Sequence, residues 1–418
     1  MFIFGGKAFF YDNGVFREDE DGSYLRNIIS NLVFEEFRRS DKISRVEKHL
    51  LRDIHALWIS EAEANDLLNP AFNRYGPSII NFQNGLLNVE TMELLPHSPE
   101  YRSISQIPHV WEPDRVSNDS VVDDFINGII PDAEDREMFL QYAGYCMTAN
   151  TELQSFLVVT GQGGTGKSVL LRLVEMAVGP ENCSSLKLQD LDGKNKFSSV
   201  FLFGKLANIC ADIPSKALQD ASDLKLVTGE DGVRAEYKGG KVFKFRPFCK
   251  LLFSCNSLPK SLDEKTDAYY RRLLILSIMY RGPEIQHLQE RLTANVDDFI
   301  QKAVFALHRM IVDNQGKILR STNCRKAVRQ LYRDSDTVTA WMDDRSVILT
   351  PGVRTDKRDA YADYQEYCSA TGRTALGQNG FYSNLREKGF AEGKSGNHRF
   401  FQGLEIVGEE SPFESELD

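Results

Sequence analysis

No Cys-x-x-Cys pair occurs among the seven cysteines of this chain, and none pairs with a histidine at zinc-finger spacing. That excludes a zinc framework, and the thiols read as buried groups in a reducing compartment rather than as disulfide partners. No apolar run approaches the roughly 20 residues that a membrane-spanning helix needs. The apolar start Met1-Phe2-Ile3-Phe4 is too short for a secretory signal, and no basic stretch precedes it. Internal repeats and low-complexity segments are also missing. The expectation is a cytoplasmic protein with no membrane partner. An excess of positive charge is lacking too, with a net charge of −10 over 418 residues. A protein that coats nucleic acid over its whole surface is therefore excluded. A local basic element is not, because screening confines each charge to its neighbourhood. With 42% hydrophobic and 26% charged residues, the chain can build roughly two to four domains, each with its own core.

What is present is a phosphate-loop pattern. Gly161-Gln162-Gly163-Gly164-Thr165-Gly166-Lys167-Ser168 fits G-x-x-x-x-G-K-[ST] at every fixed position. Phe156-Leu157-Val158-Val159-Thr160 before it reads as a buried strand, and the apolar pattern from Val169 to Val178 as a helix that stops at Gly179-Pro180. In that context the glycines let backbone N–H groups curl around phosphates at a helix N-terminus. Gly161, Gly163, Gly164, Thr165 and Gly166 would line the loop. Lys167 would reach the β- and γ-phosphates of ATP, and Ser168 would hold Mg²⁺.

The motifs downstream narrow the class. Lys205-Leu206-Ala207-Asn208-Ile209-Cys210-Ala211-Asp212 is a core strand ending in an acid that could hold Mg²⁺; a turn or cap residue is the plain alternative. Lys250-Leu251-Leu252-Phe253-Ser254-Cys255-Asn256 is another such strand. Its Asn256 suits a sensor of the γ-phosphate or of the attacking water, or simply a turn. The guanine-reading N-K-x-D pattern is absent, since Phe197-Ser198 follows Asn195-Lys196. Arg271-Arg272 precedes an apolar strand, where one of them could act as an arginine finger in a neighbouring subunit or remain an ordinary surface pair. Between Lys225 and Lys250 seven basic residues (225, 234, 238, 241, 244, 246, 250) face three acids (230, 231, 236). Their centre alternates and turns on Gly239-Gly240, a hairpin signature. Arg234, Lys238, Lys241 and Lys244 would grip phosphates of DNA, unless the lysines merely protect a solvated edge.

Taken in order, these elements resemble the superfamily III helicases, in the phage and plasmid primase–helicase branch that includes the poxvirus primase–helicase. The resemblance rests on the loop at 161–168, Asp212, the basic hairpin with Thr228-Gly229-Glu230-Asp231, the strand ending in Asn256 and the Asp267-Ala268-Tyr269-Tyr270-Arg271-Arg272 block. It implies an α/β protein with an AAA+-like P-loop NTPase core, an N-terminal α/β helicase-associated domain and a C-terminal winged-helix domain. The expected divisions are 1–115 for the N-terminal domain, 116–152 for a helical lead-in, 153–282 for the motor and 283–333 for a helical connector. The winged helix would follow at 334–408, with 378–388 as recognition helix and 390–403 as wing carrying Lys394, His398 and Arg399, before an acidic tail at 409–418. The resemblance further implies an ATP- and Mg²⁺-dependent hydrolase in the cytoplasm of a bacterial host. It would assemble with itself into a ring, usually a hexamer, and translocate on single-stranded and forked DNA, usually 3′ to 5′. A separate primase or polymerase would be a further partner, because the N-terminal region is too short for a fused primase. Here Asp212 lacks the paired acid seen in many members, which leaves the general base open. The other reading is an origin-binding initiator whose ATPase controls assembly on DNA.

Overall fold

The computed structural model describes residues 1–4, 7–19, 22–39, 53–54, 56–57, 72–191, 198–214, 222–229, 232–236, 242–258, 267–396 and 398–407. The chain divides into two compact units, Met1–Arg325 and Lys326–Asp418.

The first unit opens with an antiparallel meander of β1 (Phe2–Phe4), β2 (Lys7–Asp12) and β3 (Val15–Glu18). The period-two side-chain alternation of strands gives this small sheet two apolar faces. On one, Ile3 and Ala8 pack against Leu25 and Ile29 of the helix Ser23–Arg39. On the other, Phe2, Phe9 and Phe16 form a cluster that takes in Phe4, Phe72 and Phe203. A second meander of β4 (Ile79–Phe82), β5 (Gly85–Asn88) and β6 (Glu93–Leu95) follows. The helices Val121–Ile129 and Ala133–Cys146 then lead into the main sheet.

That sheet contains β7 (Phe156–Thr160), β8 (Cys183–Ser184), β9 (Ala207–Cys210), β12 (Lys250–Cys255) and β13 (Leu273–Ser277), in the spatial order β13-β7-β12-β9-β8. Every strand pair in it is parallel. Parallel strands are covered on both faces, which is why β7, β9 and β12 read as near-continuous apolar runs instead of alternating ones. The helix Lys167–Val178 lies on the sheet with Leu170, Leu171, Leu173, Val174, Ala177 and Val178 buried. Burial of each such branched side chain contributes about 1.5–3 kcal/mol. The helix ends at Gly179, whose left-handed φ of 91° and N–H bond to Glu175 O close the last turn before Pro180.

Between β9 and β12 stands a two-stranded antiparallel ribbon, β10 (Val233–Glu236) and β11 (Val242–Phe245). Its apolar face is held by Phe203, 5.3 Å from Phe245 and 5.5 Å from Phe243, and Phe4 of the N-terminal sheet stacks on Phe203 at 5.3 Å. Of the segment expected as a connector, 283–333, residues 283–325 belong to this unit. The helix Val296–Val312 buries Phe299, Ile300, Val304 and Leu307, and Phe299 packs 6.2 Å from Phe139 of the helix Ala133–Cys146.

The second unit contains the helices Thr337–Asp344, Lys357–Ala370 and Gln378–Glu387 and an antiparallel sheet. Its strands β14 (Val347–Asp356), β15 (Ala391–Ser395) and β16 (His398–Ile406) lie in the order β14-β16-β15. The core is Trp341, Tyr364, Phe381, Leu385 and Phe401, with Tyr364 and Phe381 stacked at 4.5 Å. The indole N–H of Trp341 donates to Asp363 Oδ1 at 2.5 Å, so this buried ring leaves no polar atom unpaired. The segment expected as recognition helix is the helix Gln378–Glu387, and the wing segment forms β15 and β16. At their tip Lys394 faces Arg399 across the ladder, both exposed. The acidic tail at 409–418 lies outside the described residues.

Candidate nucleotide and nucleic-acid site

The loop at 161–168 joins the C-terminal end of β7 to the helix Lys167–Val178. Its glycines answer steric demands. A Cβ at Gly161 would lie 2.2 Å from Ile278 O, and Gly164 and Gly166 hold positive φ of 78° and 91°. Thr165 donates its hydroxyl hydrogen to Gln162 O at 3.0 Å, tying the loop across its own turn. Gly163 and Ser168 are exposed at the open side.

Lys167 is 5% exposed and folds back over the loop. Its ammonium donates to Gly161 O at 2.7 Å, Gln162 O at 2.8 Å and Asn256 Oδ1 at 3.1 Å. The three N–H donors of an ammonium are thus all engaged, and two sequence-predicted residues 89 positions apart are brought into contact. They meet because β12 lies directly beside β7, in a register that pairs Cys255 with Thr160.

Asp212 follows β9, one strand further out. Its backbone is left-handed with φ 53°, its N–H donates to Ser254 Oγ at 3.1 Å, and Ile213 N–H donates to Ser254 O at 2.8 Å. The acid is therefore pinned to β12 at the strand end that carries Asn256. Electrostatics at Cys255 register the same neighbourhood. Burial raises its thiol pKa above the ordinary value, the Lys167 charge pulls it down and the Asp212 charge pushes it up. Hydroxyl and carboxylate oxygens at Ser168 and Asp212 are the hard donors that Mg²⁺ takes, together with water and phosphate oxygens.

Arg271 and Arg272 end the short helix Asp267–Arg272, immediately before β13. Because β13 runs parallel to β7 with Leu273 opposite Phe156, both arginines sit where the sheet begins, and the loop sits where it ends. Five residues of strand put about 16 Å between those edges, so neither arginine serves its own loop. They also differ from each other. Arg271 is exposed, whereas Arg272 is half-buried and donates to Gln154 Oε1 at 3.4 Å.

Arg281 is a residue that sequence reasoning missed. After β13 the chain continues past the loop, with Ile278 N–H donating to Thr160 O at 2.8 Å, and Arg281 Nη2 reaches Gly163 O at 3.4 Å. Exposed Met279 and Tyr280 precede it. The available signal was its place four residues beyond the end of β13, the neighbour of the loop strand.

On the ribbon, Arg234 and Lys244 are cross-strand partners, both exposed. Like charges directly opposite each other destabilise a ladder unless an anion lies over them. Lys238 and Lys241, the expected tip residues, lie outside the described residues.

The family described as "D5 N terminal like" matches residues 5–148, and the "Family of unknown function (DUF5906)" matches residues 159–272. Among curated proteins, the chain is 24% identical over 265 residues to the protein named "Putative helicase L207/L206" of Acanthamoeba polyphaga mimivirus, a match covering 59% of this chain and 26% of that one. It is 28% identical over 214 residues to "Putative helicase 121R" of Invertebrate iridescent virus 3, covering 48% and 22%. Both relatives are viral proteins named as helicases. The chain matches about a quarter of the length of those relatives. Among solved structures, the apo A form of the NrS-1 C-terminal region superposes with a TM-score of 0.52 at 13% identity, over 96% of this chain and 94% of that one. That likeness extends to the mixed α/β fold. No described helix is long and apolar enough to cross a membrane.

Proposed function

We propose that the chain is an ATP-driven DNA helicase of replication, a motor that assembles as a ring, hexameric by resemblance, and moves 3′ to 5′ on single-stranded DNA. The observation that carries this reading is the contact between Lys167 and Asn256 at 3.1 Å, which joins a phosphate loop to a polar strand end beside an acid. In this reading the loop N–H groups and Lys167 hold the phosphates of ATP, and Asn256 orients the attacking water against the γ-phosphate. Ser168 and Asp212 would hold Mg²⁺, which when bound neutralises charge between the β- and γ-phosphates. Arg281 adds positive charge beside the loop from within the same chain. Exposed Arg271 is the better placed of the pair to enter the site of a neighbouring subunit, where an arginine finger stabilises charge in the transition state. The cationic face of the ribbon follows the DNA strand, as groove cations do in sequence-independent binding.

The test is unwinding of a forked DNA with ATP. Wild type should separate strands and hydrolyse ATP faster with DNA present, and Lys167→Ala should do neither. DNA-independent hydrolysis with no strand separation would sink the reading. One observation favours the initiator alternative. The helix Gln378–Glu387 beside the Lys394–Arg399 strand pair in the second unit suits a winged-helix module on duplex DNA. On that reading a double Lys394→Gln, Arg399→Gln variant loses duplex affinity and ATP-dependent loading but keeps unwinding of a preformed fork.

A further inference from the structure

A cavity of about 590 Å³ opens in the first unit, away from the phosphate loop. Phe248 on its wall stands two residues before β12, so the cavity lies at the edge where the parallel strands begin. The loop lies where they end. The six residues of β12 separate the two edges by about 20 Å. The volume falls in the roughly 300–1,000 Å³ range of small-ligand sites.

Its walls combine three kinds of group. Phe72, Tyr75 and Phe248 supply ring surface, all partly exposed. Lys244 and Arg246, at the base of the ribbon, supply positive charge, and neither has an ion-pair partner among the described residues. Asn73 supplies an amide. Its Oδ1 accepts from Ile104 N–H at 3.1 Å, which fixes the orientation of the group, and its Nδ2 is buried with no acceptor among the described residues. Buried donors are rarely left so, and one in a cavity wall points to a missing acceptor.

We propose that this cavity binds one nucleotide unit of a single strand, the base lying against Phe248 and the phosphate on Lys244 and Arg246. Rings serve any base because every base has a π-face, and cations serve the backbone, so the combination suits strand binding without sequence preference. The assignment of the strand as the source rests on the motor reading. The cavity chemistry alone would also accept a free nucleotide.

The experiment uses the full chain without ATP and a fluorescein-labelled oligothymidylate read by anisotropy. Phe248→Leu should weaken binding roughly 5- to 150-fold, the loss of one stacked base, and Phe248→Trp should restore it. The double variant Lys244→Gln, Arg246→Gln should lower the slope of log K against log salt by about 0.7, one phosphate contact on a single strand. Equal affinity for wild type and Phe248→Leu overturns the proposal and leaves the motor reading standing. Equal weakening by Leu and Trp also overturns it, marking Phe248 as packing only. A labelled mononucleotide that binds Lys167→Ala protein tighter than the oligonucleotide does overturns the strand as source. Failure of wild type to bind any oligonucleotide overturns both this site and the nucleic-acid part of the motor reading.

Discussion

Asn256→Ala should tighten ADP binding while it cripples ATP hydrolysis. The ammonium of Lys167 has three acceptors, at 2.7, 2.8 and 3.1 Å, and a nucleotide must replace some of them to gain the lysine. The longest is the Asn256 amide. Hydrogen bonds to a charged group contribute about 1.5–3 kcal/mol net, and at 3.1 Å the lower end applies. Removing that acceptor makes Lys167 cheaper to extract by about 1.5 kcal/mol, roughly tenfold in Kd. ADP isolates the effect, since it carries no γ-phosphate for Asn256 to read. The alanine variant should also lose about 10²-fold in turnover, the usual cost of deleting one positioned polar group. Isothermal titration with ADP and a steady-state ATPase assay read the two arms. ADP affinity equal to or below that of wild type would refute the reasoning, because Asn256 would then not restrain the lysine.

Gly161→Ala should abolish nucleotide binding, since the added methyl meets Ile278 O at 2.2 Å; loss of ATP-dependent thermal stabilisation, with a fall of about 1–3 kcal/mol in the stability of the apo chain, is the readout. Arg271→Ala should lower the ATPase of assembled rings by about 10³-fold without shifting the melting temperature, and mixing it with Lys167→Ala subunits should recover part of the activity. Trp341→Ala, at a fully buried site, should cost the second unit about 3–5 kcal/mol, read as early loss of near-ultraviolet ellipticity. Lys250 is 3% exposed, and burial lowers its pKa to about 8. Between about 8 and its ordinary value near 10.4 the unfolded chain keeps the proton and the folded chain does not. The stability of wild type relative to Lys250→Met should therefore climb across that window, by about 3 kcal/mol in all. A difference that stays flat from pH 7.5 to 10 would rule this out. The comparison with the variant is needed because burial raises the thiols of Cys146 and Cys249 to about 12, and they drive stability the other way.

The tight turn at 161–168 was legible because its glycines report backbone requirements directly, and residue type shows those in one dimension. The apolar runs of β7 and β12 were legible for a related reason, since strands covered on both faces cannot alternate. Arg281 was not legible. Its place beside the loop follows from the pairing of β13 with β7, its contact with Gly163 spans 118 positions, and nothing local marks it. The left-handed backbone of Asp212 was hidden as well, because a non-glycine residue gives no sign of positive φ. The stretch 283–333 was expected to be helical, but nothing in it told that 296–312 packs on the helix Ala133–Cys146, since an amphipathic face names no partner. The cavity was out of reach for the same reason: Phe72 and Phe248 lie 176 positions apart.

One short strand, β12, carries Asn256 just past one end and Phe248 just before the other. A hydrogen-bonded strand in the middle of a sheet is stiff along its length, so the two ends do not move independently. With ATP at one end and a DNA base at the other, the effect of each on the affinity for its counterpart must be equal in size, by the reciprocity of linked equilibria. Six residues of backbone would then act as a push-rod, and the tightening of the strand by nucleotide could be measured as readily from the nucleotide side.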